Sequence, residues 1–373
     1  MANDKLKAYR AALDKLSKKY EEVFVSAEDN EKVKKITFDS PQLTFMFSGF
    51  GYDRVHHLYG PPSAGKSSIA TYIASQCQKH FPDHPMVLYV DFERSFDKHF
   101  AEKIGLNCDP DHFQLIKAEN IEDAFTCVED LLRTKYCCCI IMDSDASAPT
   151  RTENEDEINK ANFGSGALAY TRLLRRFNIL ISKYEVPLLW ISQERCNMQF
   201  GAHLPSVTGG SAPPYYATTR NRVTKLDNIT ENGEIVGIHM RVRNYKNKGG
   251  IPFRDAEMDF YFDKGFNSDN EYVDFLIKFE IFKQGGAWLT SEKYGVKVNG
   301  KAKLQEWLKE HPDEYAEMKE IVNQKLLGFN ELDKGNVDPM TTEDGAMQRT
   351  KAIDESSLPA DDITDLAEQA AAD

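Results

Sequence analysis

The chain has 373 residues, 41% hydrophobic and 28% charged, with a net charge of −13, an ordinary soluble composition with enough chain for about two domains. It holds no apolar run near the roughly 20 residues that a membrane span needs and no apolar leader after Met1, so a cytoplasmic protein with no membrane partner is expected. The acidity does not exclude nucleic acid: residues 329–373 hold 12 acidic side chains against Lys334, Arg349 and Lys351, a net of −9 that leaves the remainder nearly balanced.

Residues 4–20 read as an amphipathic helix, with Leu6, Tyr9, Leu13, Leu16 and Tyr20 at steps of three and four and Asn3 as N-cap. With the charged link after it, this makes an N-terminal segment, 1–34, whose apolar stripe suits docking on a neighbouring molecule. From 35 to 267, strands alternate with helices. Met86–Asp91, Phe113–Ile116, Cys137–Asp143 and Pro187–Ser192 read as buried strands, and Ile121–Thr134 and Gly166–Tyr184 as helices. That alternation predicts a mainly parallel sheet covered by helices. Ile235–Asn247 reads as a half-buried strand, with Val236, Ile238, Met240 and Val242 on one face and His239, Arg241, Arg243 and Tyr245 on the other. Residues 268–332 read as a smaller α/β piece with a helix around Lys303–Leu327. From 333 the chain loses aromatics and gains acid, Pro and Ser, which predicts a disordered tail, 333–373. The seven cysteines form no C-x-x-C pair. Cys137, Cys138 and Cys139 sit in an apolar run whose successive side chains would point to opposite faces, so they read as small buried strand residues rather than metal ligands.

Gly60-Pro61-Pro62-Ser63-Ala64-Gly65-Lys66-Ser67 matches G-x-x-x-x-G-K-[ST], the phosphate-binding P-loop. Val55–Tyr59 before it reads as a strand and Ser68–Cys77 after it as a helix. In that setting the strand delivers the loop and the helix N-terminus turns its free N–H groups toward phosphate. Lys66 would reach the β- and γ-phosphates of ATP, and Ser67 would give its hydroxyl to Mg²⁺. Asp143 ends an apolar strand, as a metal-holding carboxylate should. Glu93 follows Tyr89-Val-Asp91-Phe92, and ligands of parallel sheets bind at the carboxyl ends of strands. Glu93 is therefore placed to polarise the attacking water.

Beyond these, Tyr59–Ser67, Val90-Asp-Phe-Glu93, Ile191-Ser-Gln193, Thr208-Gly-Gly210, Tyr245-Lys-Asn-Lys248 and Gly286-Ala-Trp288 occur in an order and spacing similar to the RecA recombinase family of bacteria and their phages. The resemblance runs from about Lys35 to Leu327. It implies a RecA-like P-loop core over 35–267, an N-terminal oligomerisation helix and a small C-terminal α/β domain over 268–332. It implies ATP and Mg²⁺ as cofactors, bound by Gly60 to Ser67 and by Ser68, with Asp97 and Phe100 near adenine and Ser67 and Asp143 at the metal. Glu93 would be the catalytic glutamate, with Lys66 holding the phosphates. Gln193 would sense the γ-phosphate and signal into a second DNA-binding loop, Glu194–Ser211, which includes Arg195, Thr208, Gly209, Gly210 and Ser211. A first DNA-binding loop would lie near Glu153–Gly166, followed by Arg175 and Arg176. Lys246 and Lys248 would reach a neighbour's ATP. The implied activity is a DNA-dependent ATPase that forms a helical filament on single-stranded DNA and exchanges strands with homologous duplex DNA, with single-strand-binding and loading proteins as further partners. Two other functions share the P-loop on such a sheet, a DNA motor of helicase or branch-migration type and an ATP-gated regulatory binding protein.

Overall fold

The computed structural model describes residues 2–19, 34–155, 165–197, 204–207 and 212–332. The charged link, most of the first loop, the 198–203 and 208–211 stretches of the second loop and the acidic tail lie outside them. Among the described residues, no helix is long and apolar enough to cross a membrane.

The strands are β1 (Lys35–Ile36), β2 (Phe50–Gly51), β3 (Val55–Gly60), β4 (Met86–Asp91), β5 (Phe113–Ile116), β6 (Cys137–Asp143), β7 (Leu188–Asn197), β8 (Leu204–Val207), β9 (Thr219–Glu231), β10 (Glu234–Asn247), β11 (Asp255–Tyr261) and β12 (Gly265–Phe266), then β13 (Lys283–Gly285), β14 (Trp288–Ser291) and β15 (Val296–Asn299). The central sheet has ten strands in the order β12-β11-β10-β9-β3-β7-β6-β4-β5, with β8 added to β7. Its middle is parallel: β3 pairs with β7 and β9, β6 with β7 and β4, and β4 with β5. The β9–β10–β11–β12 side is antiparallel. Together with its covering helices this is the α/β architecture expected of a RecA-like core.

β4, β6 and the Leu188–Ile191 part of β7 are apolar runs because both faces of the sheet are covered there. Cys137, Cys138 and Cys139 are buried in β6 for this reason. Helix Lys66–His80 covers one face. Helices Ile121–Leu132 and Ser165–Tyr184 cover the other, where Phe125 meets Phe177 edge-on at 4.4 Å and Trp190 at 5.9 Å. β10 alternates as its sequence pattern requires: Ile238, Met240 and Val242 are buried, while Arg243 and Tyr245 face outward.

The C-terminal segment shares the first of these cores. Phe275 of helix Ser268–Lys278 packs on Phe45 of helix Pro41–Phe47 at 5.8 Å. Glu271 joins the same two helices: it accepts from Ser40 Oγ at 2.6 Å and from the Gln42 amide at 3.3 Å, while its Oε1 is buried with no hydrogen-bond partner. Burial pushes the Glu271 carboxyl up to about 7. The helix expected around Lys303–Leu327 is two helices, Gly300–Glu310 and Pro312–Leu332. His311 between them has φ −126° and ψ 69°. A residue before proline is driven out of the helical region, and Pro312 is then well placed to begin the next helix. The N-terminal helix spans Ala2–Lys19 and leaves Leu6, Tyr9 and Leu16 exposed.

Candidate nucleotide site

Four neighbouring strand ends build the site. β3 ends in Gly60, β4 runs into Glu93, β6 ends in Asp143, and β7 carries Gln193 opposite Gly60. Two glycines are required by contact. A Cβ on Gly60 (φ +151°) would lie 2.1 Å from the Val223 carbonyl oxygen. One on Gly65 (φ +92°) would meet Ile238 Cδ1 and Met240 Cε at 2.9 Å. Gly65 caps helix Lys66–His80 without a side-chain hydrogen bond, so the first N–H groups of that helix keep their capacity for an anion.

Lys66 is 7% exposed and donates to the carbonyls of Pro61 at 2.8 Å and Gly60 at 3.2 Å. Burial pushes its ammonium down, opposed by the charges of Asp143, Glu93 and Glu194. Asp143 is buried and accepts from Tyr89 Oη at 2.7 Å and from the Ser67 hydroxyl; burial nevertheless raises its carboxyl above the ordinary range. Glu93 Oε1 accepts from Ser144 Oγ and from Gln193 Nε2, both at 2.5 Å. The expected water-activating group and the expected sensor are therefore in direct contact. Lys66, Ser67, Glu93, Asp143 and Gln193 line a cavity of about 670 Å³ together with residues 62–65 and Ser68, within the range of ordinary ligand sites.

The residues present fit the groups expected. Free helix N–H groups, Lys66 and a cradle that any Cβ would fill suit a triphosphate. Ser67 and Asp143 are oxygen donors already bonded to each other. That suits Mg²⁺, which takes one or two carboxylates and completes its shell with phosphate oxygens and water.

Other expected residues lie elsewhere. Asp97 caps helix Lys98–Lys103, accepting from Phe100 N at 3.1 Å, and Phe100 packs on Phe260 and Phe262. Of these three aromatic residues, Phe262 lines the cavity. Lys246 donates to the Pro214 and Tyr215 carbonyls at 2.8 Å, closing the short helix Ala212–Tyr216. Lys248 lines a separate cavity of about 180 Å³ with Lys35 and Arg54. Arg176 is held by Glu129 at 2.6 Å, which also binds Arg133, and Arg175 Nε lies 3.5 Å from Tyr216 Oη. The backbone of Arg195 pairs with Ser206 in the β7–β8 ribbon, and its side chain lies outside the described residues, as do Thr208, Gly209, Gly210 and Ser211.

Sequence reasoning missed Lys225, Asn228, Ile235 and Phe262, which wall the cavity from the β9–β10 hairpin and the end of β11. The available signal was Asn232-Gly233, both with positive φ (51° and 86°), the pair that favours a two-residue hairpin turn. It also missed a buried array behind the site. Asp145 Oδ2 accepts from Ser192 Oγ at 2.5 Å and Trp190 Nε1 at 2.9 Å. Having given its proton to Asp145, Ser192 must accept from His57 Nε2, 2.9 Å away. Burial holds His57 down at about 3, so it is neutral, with its proton on Nε2.

Residues 7–267 match the family model for the RecA N-terminal domain. Protein RecA of Malacoplasma penetrans is 28% identical over 337 residues, 88% of this chain and 98% of that protein. Protein RecA of Mesoplasma florum is 30% identical over 280 residues, 74% of this chain and 82% of its own. The crystal structure of the RadB recombinase overlays with a TM-score of 0.45 at 18% identity, covering 60% of this chain and 95% of that one.

Proposed function

The chain belongs to the RecA family, and from that premise we propose that it is a DNA-dependent ATPase that forms a helical filament on single-stranded DNA and pairs it with homologous duplex. The observation that carries this reading is the contact between Glu93 and Gln193. It joins the hydrolytic end of the cavity to the strand that continues directly into the β7–β8 ribbon.

In this reading the P-loop amides and Lys66 hold the phosphates of ATP, which draws Lys66 off the Gly60 and Pro61 carbonyls. Ser67 and Asp143 hold Mg²⁺, which when bound neutralises charge on the phosphates. Glu93 accepts a proton from the attacking water, oriented meanwhile by Ser144 and Gln193. Gln193 then distinguishes the states before and after loss of the γ-phosphate, because its amide can bond to Glu93 or to phosphate. Lys246 and Lys248 serve the nucleotide of the next protomer, and the N-terminal helix docks its exposed stripe on that protomer. Base pairing between DNA strands, rather than side chains, supplies sequence recognition.

Electron microscopy of the protein with single-stranded DNA and a slowly hydrolysed ATP analogue tests the proposal. An open helical filament is the expected result. A closed ring would favour a motor, and no assembly would favour a regulatory binding protein.

A further inference from the structure

β3 stops at Gly60, but β7 does not stop at its partner Gln193. Residues Glu194–Asn197 run on and pair antiparallel with Leu204–Val207 alone. The ribbon that departs here thus has no backbone bonds to β3. Its first residue, Glu194, has a side chain only 4% exposed and takes a two-pronged grip from Arg222. Arg222 Nε lies 3.1 Å from Oε1 and 3.0 Å from Oε2, and Nη2 lies 2.9 Å from Oε2. Arg222 itself is fixed inside the sheet, between Tyr59 on β3 and Arg243 on β10. The ion pair reaches from β7 to β9 across the end of β3, where Gly60 contributes no side chain.

Successive strand residues point to opposite faces. Gln193 therefore turns toward Glu93 and the phosphate cavity, while Glu194 turns to the other face and Arg222. Sensor and anchor are consecutive residues of one strand, so a rotation of that strand that moves Gln193 also loads the anchor. The planar guanidinium holds both carboxylate oxygens and resists such rotation in a way that a lysine would not.

We propose that Glu194 and Arg222 are a positioning pair that fixes the departure angle of the β7–β8 ribbon and so converts the nucleotide state read at Gln193 into affinity for DNA. The inference rests on the function proposed above. It assigns neither residue a contact with ATP.

The test uses the full chain and fluorescent single-stranded DNA, with affinity measured by anisotropy in a slowly hydrolysed ATP analogue and in ADP. The variants are Glu194→Gln, Arg222→Lys and the exchange Glu194→Arg/Arg222→Glu, each checked by thermal unfolding. Glu194→Gln should lower the ratio of the two DNA affinities about tenfold, the ordinary scale of a coupling between sites. Arg222→Lys should fall between this variant and the native protein, and the exchange should recover most of the ratio. The inference is overturned if Glu194→Gln keeps the native ratio, if both affinities fall equally, or if the exchange does no better than Glu194→Gln. A native protein with equal affinity in both nucleotides would instead overturn the proposed function, so the two failures are distinguishable.

Discussion

The P-loop end of the sheet and its β10–β11 ribbon treat charge in opposite ways. On the ribbon, two arginines and a histidine of β10 face carboxylates of β11 side by side. Arg241 is held by Glu257, Arg243 by Asp255, and His239 by Asp259 at 2.6 Å and Glu257 at 3.4 Å. At the P-loop end, Lys66 rests on carbonyl oxygens, Asp143 on hydroxyls, and Glu93 on a hydroxyl and an amide. Ribbon charges neutralise one another in water, where each pair contributes little. Site charges are held by neutral dipoles, and Lys66 and Asp143 are also buried, so an incoming phosphate or cation meets no bonded counter-ion to displace. Glu271 is a third case: a carboxyl that is buried, lacks a cation and therefore tends to keep its proton.

The contrast predicts a descending series of effects. Lys66→Ala should lower ATP hydrolysis by about 10³-fold or more, as removal of a positioned charge from a dry site does, with the thermal midpoint held or raised because a desolvated ammonium is gone. Phosphate-release assays and calorimetry on the same sample would show this, and retained turnover would mean that Lys66 is no more committed to ligand than a ribbon arginine. Glu93→Gln should slow hydrolysis about 10²-fold or more, the scale of a lost general base, and leave nucleotide affinity within about threefold. Unchanged hydrolysis would remove Glu93 as the base.

Glu271→Gln should act on stability instead. Burial raises the folded-state pKa of Glu271 to about 7 from an ordinary 4.5. Its favourable contribution is complete below the ordinary value and is lost as pH rises through about 7. The variant should therefore be more stable than the native chain at pH 8, by at most ~3 kcal/mol at 1.36 kcal/mol per pKa unit, and the difference should vanish near pH 4.5. Denaturant titrations at the two pH values would measure it; equal stabilities at pH 8 would show that Glu271 is ionised at little cost. Smallest of all, Arg241→Ala should cost less than about 1 kcal/mol, and salt should shrink the effect further. A larger, salt-insensitive loss would place the ribbon pairs in the same class as the site.

The P-loop, Asp143 and Glu93 were legible because each depends on its own stretch of backbone: a strand, a tight turn or a strand end. The parallel middle of the sheet was legible for the same reason, through the alternation of apolar strands with helices. The Glu93–Gln193 bond was not readable from residue types alone, since it joins residues 100 apart; family resemblance supplied only the separate roles. The split at His311 was missed because helical periodicity outweighed the local constraint of Pro312. The ion pair of Arg176 was not readable either: its position beside an expected DNA loop says nothing of Glu129, which approaches from another helix.

The array behind the site also has an optical consequence. Of the chain's three tryptophans, Trp190 is wholly buried and bonded to Asp145, two residues past Asp143, whereas Trp288 is 45% exposed and Trp307 stacks on His311 at 4.1 Å. Replacing Trp288 and Trp307 with phenylalanine leaves one indole, whose emission reports the strand ends that line the cavity. The molecule thus carries its own fluorophore behind the phosphate cavity, and mixing it with nucleotide in a stopped-flow cell would time rearrangement of the site with no label attached.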